Sequence, residues 1–118
     1  IPIPALRGIR FGDSQRTVDA RINPMAPRHC WSMRYLNGAL RVVYVTHTRG
    51  AAPRAIGDVL GLRVMLGGTS KGDLVAALGP PDQQDRSILA WVKGGNWVGF
   101  QFEGAVLFKV SAVEFAGN

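Results

Sequence analysis

The chain has 118 residues, 47% of them apolar, and a formal net charge of +6 at pH 7. This apolar content excludes an intrinsically disordered chain, and no apolar run reaches the roughly 20 residues that a transmembrane helix needs. The positive charge lies in residues 1–63, which carry ten arginines and three acidic residues. Such a surface attracts acidic proteins, nucleic acids or other anionic polymers, although dispersed arginines can also serve only to solvate the protein.

The first half of the chain predicts one helix followed by a β-hairpin. Ser14 is a typical N-cap, and Asn23-Pro24 ends the helix because proline disfavours helical geometry in the residue before it. Apolar and polar residues alternate over residues 29–36, which predicts a strand, and a second, valine-rich strand covers residues 40–48. Asn37-Gly38 between them is a strong hairpin signal, because both residues tolerate positive φ.

The second half predicts a similar unit after an irregular connection. Residues 55–62 are expected to form a helical turn or a crossover, since their two glycines disfavour a regular element. Ser70 caps a second helix, which Gly79 and the two following prolines end, and its buried side is predicted to hold Leu74, Val75 and Leu78. Three antiparallel strands are expected to follow over residues 88–93, 97–102 and 105–115, with turns at residues 94–96 and 103–104.

The two helix starts look like copies of one motif. Gly12-Asp13-Ser14, followed by Val18 and Pro24, matches Gly68-Thr69-Ser70, followed by Leu74 and Pro80, at a constant offset of 56 residues. A repeat of this size predicts an α+β fold of two tandem helix-plus-antiparallel-sheet units, packed as one compact body with the helices on one face of the sheet. The first unit would cover residues 1–53, with an abbreviated sheet, and the second would cover residues 54–118.

Alternation along the last strands assigns a covered face and an open face to the predicted sheet. The covered face is predicted to hold Val98, Phe100, Phe102, Val106, Phe108 and Val110, and the open face Trp91, Lys93, Trp97, Gln101, Leu107 and Lys109. Tryptophan is a frequent interface anchor, so the open face is expected to bind a partner protein. Arg34 and Arg41, beside the Asn37-Gly38 turn, would steer an acidic partner towards it. Packing of the two tryptophans on each other or under a loop is the alternative.

No arrangement of residues in the sequence predicts catalysis, a metal or a cofactor. His29, Cys30 and His47 supply at most three zinc ligands, and a lone cysteine is most often a small buried side chain, a reactive or intermolecular thiol being the alternative. Residues 67–72 look like a phosphate-binding loop but lack the residue order of a Walker motif, and a helix cap explains them. We therefore expect a protein with no enzymatic activity; a small hydrolase that uses the two histidines is the alternative.

The second half of the chain also resembles a known family. The residues concerned are Gly68-Thr69-Ser70, Asp73-Leu74-Val75, Leu78-Gly79-Pro80-Pro81-Asp82, Trp91 and Phe100-Gln101-Phe102-Glu103-Gly104. They resemble the outer-membrane assembly lipoprotein family, also called SmpA/OmlA, and its structural relative, the β-lactamase inhibitor protein. The first half matches more loosely, with Asn23 in place of the glycine. The resemblance implies two tandem units that bind a protein on a concave sheet, although a single cysteine cannot form the disulfides of that inhibitor.

This resemblance implies a periplasmic, envelope-anchored or secreted protein that binds another protein, as an enzyme inhibitor, an immunity protein or an assembly scaffold. A chain that begins with Ile1 is expected either of a mature protein after signal removal or of a trimmed chain. The alternative function is a basic protein that binds nucleic acid or another anionic polymer. Against this alternative, the arginines and most of the aromatic side chains lie in different halves of the chain.

Overall fold

The computed structural model describes residues 9–22 and 31–114, and within them most residues in regular structure belong to strands. In chain order the elements are helix α1 (Gln15–Ile22), strands β1 (Trp31–Leu36), β2 (Ala39–Thr46), β3 (Arg54–Val59) and β4 (Leu62–Leu66), helix α2 (Lys71–Leu78), and strands β5 (Gln83–Gln84), β6 (Ile88–Lys93), β7 (Asn96–Glu103) and β8 (Val106–Glu114). Neither of these two helices is long and apolar enough to cross a membrane.

Six of the strands form one antiparallel sheet in the order β1-β2-β8-β7-β6-β5, while β3 and β4 form a separate hairpin. The last of the described strands, β8, therefore lies inside the sheet, between β2 and β7. Its pairing with β2 runs from Val42 opposite Val113 to Thr46 opposite Lys109. The sheet thus takes strands from both sides of the predicted boundary at residues 53 and 54, and that boundary stays a prediction.

The hydrophobic core lies on one face of the six-stranded sheet. Registered neighbours on that face are apolar across the whole sheet. One row holds Trp31, Val45, Val110, Phe100 and Leu89, and the next holds Met33, Val43, Ala112, Val98 and Trp91. The central residues of both rows are fully buried. Helix α1 adds Val18, helix α2 adds Leu74, and the β3–β4 hairpin adds Ile56, Val59, Val64 and Leu66 to the same core. The opposite face is the open face.

The expected fold of two tandem helix-plus-sheet units is wrong. The described chain is mostly β, and the hairpin that follows α1 does not build a sheet of its own. The reason is that Val43 of β2 lies opposite Ala112 of β8 and Val45 lies opposite Val110, so joining the two sheets buries apolar side chains of both. The motif that recurs at an offset of 56 residues is only a helix start, and it carries no information about the strands around it.

The predicted helix starts and the first hairpin turn are confirmed. Ser14 accepts a hydrogen bond from the backbone N–H of Thr17 at 3.2 Å. Ser70 and Asp73 form a reciprocal capping box, in which each side chain accepts from the backbone N–H of the other residue, at 3.0 and 3.1 Å. Asn37 and Gly38 have φ values of 52° and 78°, as a tight hairpin turn requires.

Two local predictions in the middle of the chain are wrong. Residues 54–66 form the β3–β4 hairpin rather than a helical turn or a crossover, because Leu60 and Gly61, with φ of 53° and 83°, make the tight turn between its strands. On α2, only Leu74 is fully buried, while Val75 is 41% exposed. Leu78 packs at the edge of the core, so the eight-residue helix contacts the core along a narrow stripe.

Candidate functional site

The open face of the six-stranded sheet is a mixed surface of aromatic, aliphatic, small and basic residues. Registered pairs define its three rows, since paired residues point to the same side of a sheet. The rows are Arg34, Val42, Val113, Trp97 and Val92; then Ser32, Tyr44, Ser111, Gly99, Ala90 and Gln83; then Thr46, Lys109, Gln101 and Ile88. None of these residues is acidic; beyond the β-bulge the face continues with the pair of Glu103 and Val106, and the Glu103 carboxylate accepts a hydrogen bond from Arg49.

Trp97 lies flat along this face and is fixed at both ends. A Cβ atom placed on Gly99 would overlap Cη2 of the Trp97 ring, so the indole covers the bare backbone of that glycine. The indole N–H donates to Oε1 of Gln83 at 3.1 Å. The ring is therefore packed on β7 and tied through the Gln83 side chain to β5, which presents a large, rigid apolar surface at low cost in conformational entropy.

Lys109 and Tyr44 form the second feature of the open face. The Lys109 ammonium lies 4.5 Å from the centroid of the Tyr44 ring, within the range of a cation–π interaction. Arg34, in the edge strand β1, is exposed. Within the described part of the chain, neither Lys109 nor Arg34 forms an ion pair.

Three other cations among the described residues are compensated by a nearby carboxylate. Arg21 approaches Asp13 at 3.5 Å, Arg41 approaches Glu114 at 3.4 Å, and Arg49 donates to Glu103 at 2.9 Å. Arg41, predicted to help attract a partner, is therefore neutralised within the fold. The uncompensated positive charge of the open face therefore comes from Arg34 and Lys109.

The prediction that Trp91 and Lys93 lie on the open face is wrong. Trp91 is 1% exposed and faces the core, where its ring meets that of Phe100 edge to face at 5.7 Å and its N–H donates to the carbonyl oxygen of Gly79 at 3.2 Å. Lys93 lies two residues after Trp91 in the same strand and therefore points to the same side of the sheet. The β6–β7 turn has two residues, so Lys93 pairs with Asn96 and Val92 pairs with Trp97. The predicted turn had three residues, 94–96. Shortening it by one residue shifts the pairing by one position, and such a shift moves every side chain of the strand to the opposite face.

A β-bulge reverses the predicted faces at the start of β8. The register shifts between Gln101 and Phe102, so that Phe102 pairs with Leu107. Leu107, expected on the open face, is fully buried, while Val106, expected in the core, is 43% exposed. Phe108, also expected in the core, is half-buried. Beyond the bulge, Gln101 and Lys109 pair on the open face.

The structure adds residues to the face that sequence reasoning missed. Tyr44, Val42 and Thr46 lie on it because β2 pairs with β8, and Ser32 lies opposite Tyr44 on β1. The alternation of residues in β2 indicated that Tyr44 points to the other side of the strand from Val43 and Val45, so its position on the open side could have been predicted. What the alternation could not show was that β2 and β7 share one sheet. The roles of Trp97, Gln101, Lys109 and Arg34 in binding stay predictions.

The candidate metal ligands are not brought together in the described part of the chain. His47 is half-buried, and its imidazole packs against Gly67, where a Cβ atom would lie 2.7 Å from Nε2. His29 and Cys30 lie outside the described residues. Over residues 9–22 and 31–114, no group of three or more histidine, cysteine, aspartate or glutamate side chains is arranged to hold a metal ion.

Comparisons of the chain with protein-family models, with curated proteins and with solved structures found no match. The resemblance to the outer-membrane assembly lipoproteins is therefore supported by the quoted residues alone. The tandem fold that it implied is the part that the structure contradicts. Function has to be argued from the open face itself.

Proposed function

We propose that this chain is a non-enzymatic binding module that recognises an acidic protein through the open face of its six-stranded sheet. The observation that carries the proposal is the composition of that face. It combines an immobilised tryptophan with two cations, Arg34 and Lys109, that have no carboxylate partner among the described residues. Aromatic anchors surrounded by complementary charge are typical of protein interfaces.

Charge favours a different protein over a second copy of this chain as the partner. Two open faces brought together would place Arg34 and Lys109 of both copies in one interface, and Glu103, the acidic residue registered on that face, already pairs with Arg49. Like charges juxtaposed in an interface cost several kcal/mol, whereas an acidic partner would be attracted and steered. A location in the cell envelope or outside the cell belongs to the proposal through the sequence resemblance alone, and cell fractionation tests it.

The proposal can be tested by affinity capture with the full chain as bait. Extract from the source organism is passed over the bait at low and at high salt, and the retained molecules are identified by mass spectrometry. The bait is compared with the double variant Arg34→Glu/Lys109→Glu and with Trp97→Ala. Arg63→Glu/Arg86→Glu is the control, because it changes the net charge equally at two exposed arginines outside the open face.

The expected result is a specific acidic protein that the unchanged chain and the control retain and that both open-face variants lose. If the chain retains nucleic acid and releases it at high salt, where counterions compete for the phosphates, the proposal would be wrong. The protein would then be a binder of anionic polymers. A protein retained equally by all four baits would show that the open face is not the binding site. Circular dichroism of each variant establishes that it is folded.

A further inference from the structure

A groove lies at one end of the open face, between the loop that follows β2 and the β7–β8 turn. It has a volume of about 540 Å³, which is within the range of clefts that bind ligands. Its lining residues are Thr46, His47, Arg49, Gly50, Ala51, Gly67, Glu103, Val106 and Phe108. The β-bulge creates this groove in part, because it turns Val106 away from the core.

The groove has apolar walls and a polar rim that is already neutral. Val106 is 43% exposed and Phe108 is half-buried, and His47 closes the floor against Gly67. Arg49 and Glu103 at the rim neutralise each other through a contact of 2.9 Å. An apolar group therefore gains contact area in this groove, while a lone charged group gains little from the paired rim.

The groove is continuous with the open face. Thr46 lines the groove and is also the registered partner of Lys109, whose ammonium has no carboxylate partner among the described residues. The ammonium itself lies over Tyr44, one row further from the groove, so a molecule that contacts it and extends past Thr46 reaches the groove. The same molecule can place a neighbouring group inside it.

We propose that the groove receives an apolar side chain of the acidic partner, next to a carboxylate that Lys109 binds. This inference rests on the proposed function and adds the chemistry of the segment that is recognised: an apolar residue flanked by acidic ones. The open face supplies charge and the tryptophan surface, and the groove supplies selection for an apolar side chain. Interfaces commonly combine a buried anchor in a pocket with charged contacts around it.

The test uses defined peptides and the full ¹⁵N-labelled chain, observed by NMR. One blocked heptapeptide has six glutamates around a central leucine; its analogue has a central serine. The leucine peptide is expected to shift the amide signals of Thr46 and Val106 and to bind about tenfold more tightly than the serine peptide.

The variant Ala51→Phe, which fills the groove, should abolish this difference. Ala52→Phe should preserve it, because that adjacent exposed alanine is not among the lining residues.

The outcomes separate the groove from the open face. If both peptides bind equally and shift only Tyr44, Lys109 and their neighbours, the inference about the groove is overturned while the proposed function stands. Preference for leucine that survives in Ala51→Phe also overturns it. If neither peptide shifts any signal at millimolar concentration, acid recognition by the open face and the groove inference fail together.

Discussion

The two faces of the six-stranded sheet are made by the same strands but differ completely in what they carry. The covered face is a continuous apolar surface in which Phe100, Val98, Val43 and Val110 are fully buried. The open face, one residue out of phase, has a glycine, a tryptophan, a tyrosine and two cations in corresponding positions. The comparison indicates that the covered face contributes most of the stability and that the open face contributes less.

The largest expected difference between the faces concerns two aromatic residues of β7. Phe100→Ala should lower the free energy of unfolding by about 3–5 kcal/mol, because a fully buried ring is lost and a cavity remains. Trp97→Ala should lower it by only about 1–2 kcal/mol, since that ring is half-buried over a surface. Urea denaturation measures both losses, and equal losses would show that the open face belongs to the core.

A second pair of variants tests the bulge that exchanges the faces at the start of β8. Leu107→Ala should lower the free energy of unfolding by about 2–5 kcal/mol, whereas Val106→Ala should change it by about 0.5 kcal/mol or less. The two residues are adjacent, so the comparison depends only on the side to which each points. A larger effect at Val106 would mean that the strand is regular and the register shift is absent.

The support of the Trp97 ring can be broken at Gly99. The new methyl group of Gly99→Ala would meet the indole, so the ring has to leave its place, at a cost of about 1–3 kcal/mol. The indole N–H signal of Trp97 should shift in the NMR spectrum, because its hydrogen bond to Gln83 is lost. Ser111→Ala is the control on the neighbouring strand of the same row. An unchanged indole signal in Gly99→Ala would contradict the described position of the ring.

Tyr35, whose hydroxyl is buried, and Tyr44, on the open face, are expected to differ in how they affect the stability of the protein at alkaline pH. Burial raises the pKa of the Tyr35 hydroxyl above its ordinary value of 10.0, and the carboxylates of Asp19 and Asp13 raise it further. The hydroxyl is buried and has no hydrogen-bond partner among the described residues. Its ionisation is therefore resisted in the folded state, and stability should be full below pH 10 and fall as the pH rises through the folded-state pKa.

The variant Tyr35→Phe should remove this alkaline loss without weakening the protein at neutral pH, because the hydroxyl that it deletes makes no hydrogen bond there. Tyr44→Phe, on the open face, keeps Tyr35 and should keep the alkaline loss. Thermal unfolding at several pH values checks both. An alkaline loss of the same size in Tyr35→Phe would assign the effect to another group.

The smallest expected effects on stability come from the basic residues. Arg34→Gln and Lys109→Gln should each change the free energy of unfolding by about 0.5 kcal/mol or less, since neither loses an ion pair with a described residue. Arg41→Gln should cost up to about 1 kcal/mol, because it leaves Glu114 without its partner. Binding of the acidic leucine peptide should weaken more in Arg34→Gln and Lys109→Gln than in Arg41→Gln. A greater loss of binding in Arg41→Gln would place the binding site near Arg41 instead.

Features that depend on a few neighbouring residues could be predicted from the sequence. The capping box of Ser70 and Asp73 and the Asn37-Gly38 turn are local hydrogen-bond and φ requirements, and both were predicted correctly. The alternation of β7 likewise assigned Val98, Phe100 and Phe102 to the buried side correctly. The Leu60-Gly61 turn was missed, because a leucine with positive φ gives no recognisable signal.

Features that depend on register could not be predicted in the same way. A turn shorter by one residue moved Trp91 from the expected surface to the core, and one bulge exchanged Val106 and Leu107. The pairing of β2 with β8 joins residues far apart in the chain, so local patterns carry little information about it. For this reason the sequence placed Trp97, Gln101 and Lys109 on one face but could not add Tyr44 to them.

The position of β8 also determines when this protein can complete its sheet during synthesis. The β1–β2 hairpin is made before β8, the strand that pairs with the other edge of β2, and β8 is the last strand of the described sheet to be made. Until then, Val43 and Val45 have no neighbouring strand on that side, and the backbone of β2 is a bare edge. From the synthesis of β2 until that of β8, the nascent chain therefore exposes an aggregation-prone hairpin, and we expect its yield in cells to depend on chaperones that hold such hairpins.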